Sequence, residues 1–245
     1  MNNTLLKGVQ VIEFMASRAT AVGITEIAEA VQLQRSAVHR LLQGWIEMGY
    51  VFRTEGNLYR ASLKLWEVAM PLVRDLDIKR YTVDVMRELF SASGETIILS
   101  VLDHSDVVFI DKLETNARVR SYTAVGGRAP AVLTASGKVL IALASTVDVH
   151  AAIAHAKAAR PDLEEYYEQL PRELEEIRRS GYARNGGHWH SDVGGVASAV
   201  MGPDGEPMAA IGLAAPIWRL DEKRMDALQP LVTAAAKRVS DDIQR

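Results

Sequence analysis

The sequence predicts an α+β protein with a small helical unit at its N-terminus and a larger unit built around one antiparallel sheet. Three observations support this fold class. The first sixty residues follow a helix-turn-helix pattern that ends in a hairpin, strand-like runs dominate beyond Gly94, and helices come both before and after these runs. The length of 245 residues is compatible with one large or two modest domains, given roughly 150 residues per domain.

The composition excludes several classes of protein. With 48% hydrophobic and 24% charged residues, the chain is neither disordered, nor collagen-like, nor a coiled-coil rod. It has no cysteine, which excludes a disulfide framework, a thiolate metal site and a cysteine nucleophile. No stretch approaches the roughly 18–20 apolar residues of a membrane span, and no secretory signal is recognisable. We therefore expect a cytoplasmic protein without a membrane partner.

The net charge is −3, which taken alone argues against a protein coated in positive charge for nucleic acid. The charge is unevenly distributed, however. Residues 1–60 carry six basic and five acidic side chains, whereas the rest of the chain carries the acidic excess. An acidic C-terminal part therefore masks a near-neutral N-terminal unit, whose arginines are concentrated on its third helix and hairpin.

Hydrophobic periodicity predicts three helices in the N-terminal unit. Val9, Ile12 and Phe14-Met15 form a stripe on the first helix. Thr25 is the expected N-cap of the second helix, and Gly49 is the expected stop of the third. The third helix carries apolar pairs that repeat every four residues, namely Ala37, Val38, Leu41, Leu42, Trp45 and Ile46.

A hairpin with a Gly56-Asn57 turn follows the third helix, so the unit is expected to be a winged helix-turn-helix. In that arrangement the third helix enters the DNA major groove with its first residues facing base edges, and the wing meets phosphates or the minor groove. A merely solvated face is the alternative, but the adjoining hairpin favours DNA binding. The candidate DNA contacts are Thr25, Gln34, Arg35, Ser36, His39, Arg40, Arg53, Asn57 and Arg60.

A helical connector is expected over residues 61–77, with Pro71 as a kink or a break. We predict a DNA-binding domain over residues 1–61, a linker helix over residues 62–77 and a second, C-terminal domain over residues 78–245. In that domain, helices are expected over residues 78–92, 136–143, 171–180 and from Leu220 onward. Strands are expected over residues 96–102, 107–110, 118–124, 182–184, 196–201 and 208–215.

Two segments of the C-terminal part carry polar groups suited to a site. Ser136-Gly137 at a helix start offers free backbone N–H groups and the positive end of the helix dipole, which favour a carboxylate; an ordinary Ser136 N-cap is the alternative. His188, His190 and Asp192 alternate, so on a strand they would share one face. Such a set can hold zinc or iron, cover a pocket mouth as a polar loop, or hydrogen-bond an organic ligand.

Seven short segments follow one another in a characteristic order and spacing. They are residues 24–28, 33–42, 48–51, 94–96, 134–142, 177–183 and 216–220. On these segments the chain resembles the IclR family of bacterial transcription regulators. The resemblance implies a winged helix-turn-helix, a linker helix and a C-terminal effector-binding domain similar to GAF and PAS folds. It also implies dimers or tetramers on palindromic operators of double-stranded DNA, with effector contacts in the 188–192 loop and the strand after it.

The sequence departs from that family in its C-terminal part. A Gly-hydrophobic-Arg-Cys pattern common in the family corresponds here to Asp192-Val193-Gly194-Gly195, and hydroxyl residues of acid-binding members correspond to Gly212 and Ala214. These replacements predict a wider, more apolar pocket, suited to an aromatic or other organic acid rather than glyoxylate or pyruvate. The candidate effector contacts are Ala135, Ser136, Gly137, His188, His190, Asp192, Ser198, Gly212 and Ala214.

Together these features predict a ligand-responsive, DNA-binding regulator of a catabolic operon with a small organic effector, no cofactor, no metal and no catalytic residue. Two alternatives stay open. One is a metal-dependent enzyme that uses His188, His190 and Asp192, with the N-terminal unit as a protein-docking module. The other is a constitutive DNA binder with a degenerate sensor domain.

Overall fold

The structure is a computed structural model that describes residues 3–74, 78–119 and 123–245. The chain divides into two compact units, Met1–Leu76 and Asp77–Arg245. Within the described ranges, no helix is both long enough and apolar enough to cross a membrane.

The first unit is a winged helix-turn-helix, as predicted. Its elements are α1 (Asn3–Ala16), β1 (Val22–Gly23), α2 (Ile24–Ala30), α3 (Arg35–Glu47), β2 (Val51–Arg53), β3 (Leu58–Ala61) and α4 (Lys64–Arg74). Strands β2 and β3 form the wing, and β1 pairs with the other edge of β3 in an antiparallel sheet of order β1-β3-β2. The helix α4 occupies the centre of the predicted linker, and its last predicted residues, 75–77, lie outside the described residues.

The core of this unit forms where α1 packs near α3. Val38 and Leu42 of α3 are fully buried, and the indole of Trp45 donates a 3.1 Å hydrogen bond to the carbonyl of Gly8 on α1. The buried stripe of α1 contains Val11 rather than Val9, which is 38% exposed. The predicted stripe was therefore wrong at that position, although the helix itself is confirmed.

The second helix does not begin with a side-chain cap. Its N-cap is Gly23, and Thr25 lies inside the helix. Val22 and Gly23 pair with Tyr59 and Leu58 of β3, so the chain runs directly from a strand into the helix. That pairing fixes the extended backbone before α2 without help from a Thr25 cap, and the predicted cap was wrong.

The second unit is an α+β domain around one antiparallel sheet. Its elements are α5 (Ile78–Ser93), β4 (Thr96–Asp103), β5 (Asp106–Leu113), β6 (Arg128–Pro130), α6 (Ala135–Leu143), α7 (Val149–Ala159), α8 (Glu164–Ser180), β7 (Tyr182–Gly186), β8 (Val193–Met201), β9 (Pro207–Pro216) and α9 (Glu222–Ile243). Within the described residues the sheet has six strands in the order β6-β5-β4-β9-β8-β7, and all neighbours are antiparallel.

One face of this sheet is built from very small side chains. Because successive strand residues point to opposite faces, Gly195 and Ala197 of β8 lie beside Ala214 and Gly212 of β9, their register partners. Ala197 packs in one buried cluster with residues of α6, including Leu140. The small side chains therefore allow α6 to approach the sheet closely and leave room for a cavity beside it.

Two predicted elements of this domain were wrong in their position. Helix α8 begins at Glu164 and passes through Pro171, because a continuous buried stripe that includes Leu170 and Leu174 spans the proline. Burial of that stripe offsets the hydrogen bond that proline removes. Residues 118, 119, 123 and 124 are not in a strand, and residues 120–122 lie outside the described part. The neighbour of β5 is instead β6, whose position at the sheet edge tolerates Pro130.

Helix α6 begins one residue earlier than predicted, and Thr134 rather than Ser136 is its N-cap. The Thr134 hydroxyl accepts a 3.0 Å hydrogen bond from the N–H of Gly137. Gly137 lies against the backbone of Ala131, and a Cβ atom at Gly137 would be only 2.2 Å from the Ala131 carbonyl oxygen. A glycine is thus required where the helix start crosses the preceding turn.

We expect Gly137→Ala to lower the free energy of unfolding of the second unit by about 3 kcal/mol, because the added methyl group forces backbone apart in a packed core. Gly186→Ala is the control, since a Cβ there meets nothing within 4 Å. Urea denaturation followed by circular dichroism measures both. Equal stabilities of the two variants would contradict the close contact at Gly137.

Candidate nucleic-acid interface and ligand cavity

The first turns of α3 present an exposed cationic face. Arg35, Ser36, His39 and Arg40 are all exposed, and the His39 ring lies 3.4 Å from the Gln43 amide nitrogen. Neither arginine has an ion-pair partner among the residues that the structure describes. Their guanidinium groups are therefore available for phosphate or guanine, the usual targets of arginine on DNA.

A shallow depression joins the start of α3 to the helix before it. Thr25 of α2, Gln34 and Arg35 line it together. The turn between the helices includes Gln32, whose φ of +52° is left-handed. The structure thus brings three of the predicted DNA contacts to one place at the helix-turn-helix.

The wing carries the remaining predicted contacts. Asn57, at its tip, has a left-handed φ of +61°. Arg53 is paired with Tyr59 and Arg60 with Phe52; since neighbouring residues alternate across a strand, the two arginines lie on opposite faces of the hairpin. The Arg53 guanidinium carbon is 6.0 Å from the centroid of the Tyr59 ring. One face of the wing therefore carries Arg53, and the other carries Arg60.

The second unit contains a cavity of about 190 Å³ between the start of α6 and the small-residue face of the sheet. Its walls include Ile98 and Phe109 of β4 and β5, and Trp189 from the loop after β7. An engineered apolar cavity of about 150 Å³ admits one benzene molecule. The cavity thus has the volume of one six-membered ring with small substituents.

Five of the predicted effector contacts line this cavity, and they are Ala135, Ser136, His190, Gly212 and Ala214. Ala135 and Ser136 are the first two residues of α6. Within the described part of the chain, their backbone N–H groups have no acceptor. Two free donors and the positive end of the helix dipole therefore face the cavity.

Three other predicted contacts do not line the cavity. The N–H of Gly137 is bound to Thr134. Ser198 lies on the opposite face of the sheet from Ala197, and its hydroxyl donates a 2.8 Å hydrogen bond to the Gly181 carbonyl. The Asp192 side chain is exposed, outside the lining. These placements correct the predicted site for Gly137, Ser198 and Asp192.

His188 also lies outside the cavity lining, because residues 187–192 form a turn and not a strand. The Arg160 guanidinium donates hydrogen bonds to the carbonyls of His188 at 2.7 Å and of Trp189 at 3.0 Å. This turn places His190 at the cavity, whereas the half-buried His188 ring stacks on Tyr166. The expected common face of the two histidines and Asp192 was wrong. Within the described ranges, no cluster of three histidine or carboxylate side chains could hold a metal.

A buried polar cluster lies behind the loop. The Lys138 side chain on α6 is fully buried, and its ammonium group is 2.5 Å from a carboxylate oxygen of Glu173. Burial lowers the pKa of Lys138, and the charge of Glu173 opposes that shift. The Tyr166 ring stacks on His188 at a centroid distance of 3.9 Å. Its hydroxyl donates a hydrogen bond to the Val132 carbonyl, and burial raises its pKa.

Sequence reasoning missed Asn185, Arg128 and Phe109, which also line the cavity. Asn185 is detectable in principle, because it lies two residues after the buried Ala183 on β7 and so shares its face. Arg128 donates hydrogen bonds to two carboxylates, at 2.8 Å to Asp103 and at 3.3 Å to Asp106. The Arg128 contact lowers the pKa of Asp103. Only the folded sheet reveals this arginine as part of the cavity wall.

We expect His188 to make stability depend on pH. Burial and the charges of Lys138 and Arg160 lower its pKa from 6.5 to about 4. Between these values the unfolded chain binds more protons than the folded one, so stability rises with pH. The contribution of His188 is therefore complete above pH 6.5 and is lost as the pH falls toward 4.

The measurement is urea denaturation of the wild type and His188→Gln at several pH values between about 4 and 7.5, on both sides of the ordinary histidine pKa. The stability advantage of the wild type over the variant should shrink as the pH falls. An advantage that stays constant over the whole range would contradict the lowered pKa.

Comparison with known proteins finds a matching family description for each of the two units. The family description "IclR helix-turn-helix domain" matches residues 4–55, and "Bacterial transcriptional regulator IclR C-terminal" matches residues 70–241. The HTH-type transcriptional regulator KdgR of Dickeya chrysanthemi is 29% identical over 91% of this chain and 74% of its own length. The transcriptional repressor IclR of Escherichia coli is 26% identical over 97% of this chain and 88% of its own length.

Solved structures share the fold over essentially the whole chain. The Thermotoga maritima IclR superimposes with a TM-score of 0.79 at 23% identity and covers 100% of both chains. An IclR homolog of Microbacterium hydrocarbonoxydans, complexed with 4-hydroxybenzoate, has a TM-score of 0.78 at 23% identity over 99% of each chain. The chain is a DNA-binding transcription regulator with an effector-binding domain and not an enzyme, and it belongs to the IclR family.

Proposed function

We propose that this regulator controls a catabolic operon and responds to an aromatic or other organic acid bound in the cavity of its second unit. The observation that carries the proposal is the pair of free N–H groups, from Ala135 and Ser136, that faces a cavity of one-ring size. A carboxylate is the natural partner of a helix N-terminus. The 4-hydroxybenzoate in the structure of the Microbacterium hydrocarbonoxydans homolog supports a ring-containing acid.

The cavity walls favour a ring over a small keto acid. Gly212 and Ala214 bring no hydroxyl group to the cavity, while Ile98 and Phe109 supply apolar surface. An apolar ring gains free energy by leaving water for such walls, and a two- or three-carbon acid has too little apolar surface to do so. Of the predicted effector contacts, we keep Ala135, Ser136, His190, Gly212 and Ala214 as the proposed set.

We propose that the protein acts as a homodimer or a tetramer on a palindromic operator in the cytoplasm, where bacterial operators lie. Helix α4 supports self-association, because Trp66, Val68 and Leu72 are each more than half exposed on it. Exposed apolar side chains on one short helix are typical of an interaction surface. A two-fold dimer presents two recognition helices to two symmetric half-sites.

The effector can change DNA binding only if it binds two arrangements of the oligomer with different affinity. The proposed signal is therefore a change in the relative placement of two DNA-binding units, transmitted through the α4 linkers. A constitutive DNA binder is the competing function, and it requires that operator affinity stays the same with every ligand of the cavity.

We expect Arg40→Ala to weaken operator binding by about 1–3 kcal/mol, or roughly 5- to 150-fold, because one arginine contact to a base or phosphate is lost. Arg172→Ala is the control, since this exposed arginine lies on α8 in the other unit. Fluorescence anisotropy at one fixed salt concentration measures both on a duplex selected by the wild type from random DNA. Equal affinity of Arg40→Ala and wild type would contradict the assigned recognition face.

We expect monocyclic aromatic acids, with 4-hydroxybenzoate as the first probe, to raise the melting temperature of the wild type, because a ligand of the folded state stabilises it. Pyruvate and glyoxylate should raise it much less. Stabilisation by the small keto acids alone would contradict the aromatic-acid proposal.

Ala135→Pro tests the carboxylate position. Proline is tolerated in the first helical turn, and Thr134 before it already has the extended backbone that proline favours, with φ −125° and ψ 152°. The variant loses one N–H donor and should bind the acid about tenfold or more weakly, the loss expected for one hydrogen bond to a charged group. Ser136→Ala is the control, because it keeps both N–H groups. Equal affinity of these two variants would contradict the helix-terminus site.

A further inference from the structure

Asn185 has one half of its amide engaged and the other half free. It lines the cavity and is 8% exposed. Its Oδ1 atom lies 3.4 Å from the backbone nitrogen of His188 and 3.0 Å from that residue's Nδ1. Among the residues that the structure describes, no acceptor is bound to its Nδ2 atom. Asn185 therefore presents an unpartnered NH₂ group at the cavity wall.

The orientation of this amide follows from the groups around it. A backbone N–H can only donate, so the Asn185 atom that faces the His188 nitrogen is the oxygen. The neutral His188 ring can place its single N–H on Nδ1 and donate to the same oxygen. Both contacts hold the NH₂ group away from His188.

Three features fix the position of His188. Its ring stacks on Tyr166, with an interplanar angle of 22°, and its carbonyl accepts a hydrogen bond from Arg160. Gly187 before it has a left-handed φ of +95°. A ring fixed in this way defines the direction of the amide that binds it.

We infer that His188 is a positioning residue that presents the Asn185 NH₂ group to the cavity, so that the site selects organic acids with a second hydrogen-bond acceptor. This inference rests on the proposed effector function. The carboxylate occupies the start of α6, and a hydroxyl, keto or second carboxylate group accepts from Asn185. An acid without that acceptor leaves the amide buried and unpaired, which is the costly case.

The test compares two ligands of nearly equal shape, 4-hydroxybenzoate and 4-methylbenzoate, by calorimetric titration of the full chain. We expect the wild type to prefer 4-hydroxybenzoate by about tenfold or more, since an unpaired buried amide disfavours the methyl compound. Asn185→Leu removes the donor and should bring the ratio of the two affinities close to one. His188→Phe keeps a ring beside Tyr166 but loses Nδ1, and it should reduce the preference while 4-methylbenzoate binding changes little.

His150→Phe is the control, because this histidine on α7 is fully exposed and should keep the wild-type preference. Equal wild-type affinity for the two ligands would overturn the inference and leave the aromatic-acid proposal intact. An equal loss of affinity for both ligands in His188→Phe, with the preference unchanged, would also overturn the inference. That result would indicate a purely structural role of His188. Failure of both ligands to bind the wild type would contradict the aromatic-acid proposal as well.

Discussion

The close approach of α6 to the sheet is the constraint on which the second unit depends. The facing strands carry small residues such as Ala197 and Gly212, and Gly137 lets the start of the helix pass the preceding turn at Ala131. A larger residue at Gly212 would meet the Ala197 side chain at 2.8 Å. The same small residues that let the helix approach the sheet also leave space for the cavity at its N-terminus. The packing of α6 and the space for a ligand therefore both depend on these residues.

Polar groups around the cavity are divided between two tasks. The N–H groups at the start of α6 face the cavity, whereas Lys138, one turn further along, is buried behind the loop and paired with Glu173. Because an unpaired buried charge is costly, this pair anchors α6 to α8. The two histidines of the loop between β7 and β8 also differ in their surroundings. His188 stacks on Tyr166, and His190 lines the cavity.

The sequence predicted the first unit well because its helices follow simple periodicity and its wing has a clear turn at Gly56-Asn57. It also predicted most of the strands around the cavity. It failed where long-range contacts decide: β1 pairing replaces a Thr25 cap, and buried packing carries α8 through Pro171. The different positions of His188 and His190 depend on a turn that Arg160 contacts from just beyond the end of α7. Local alternation of residues along the chain could not reveal that contact.

The proposed function requires that a ligand in the cavity changes operator affinity. The most direct measurement is a pair of titrations at one salt concentration: operator binding with and without saturating 4-hydroxybenzoate, and 4-hydroxybenzoate binding with and without operator. Because linkage is reciprocal, both affinities should change by the same factor, different from one. An operator affinity that stays unchanged when the cavity is occupied would contradict the proposed effector response.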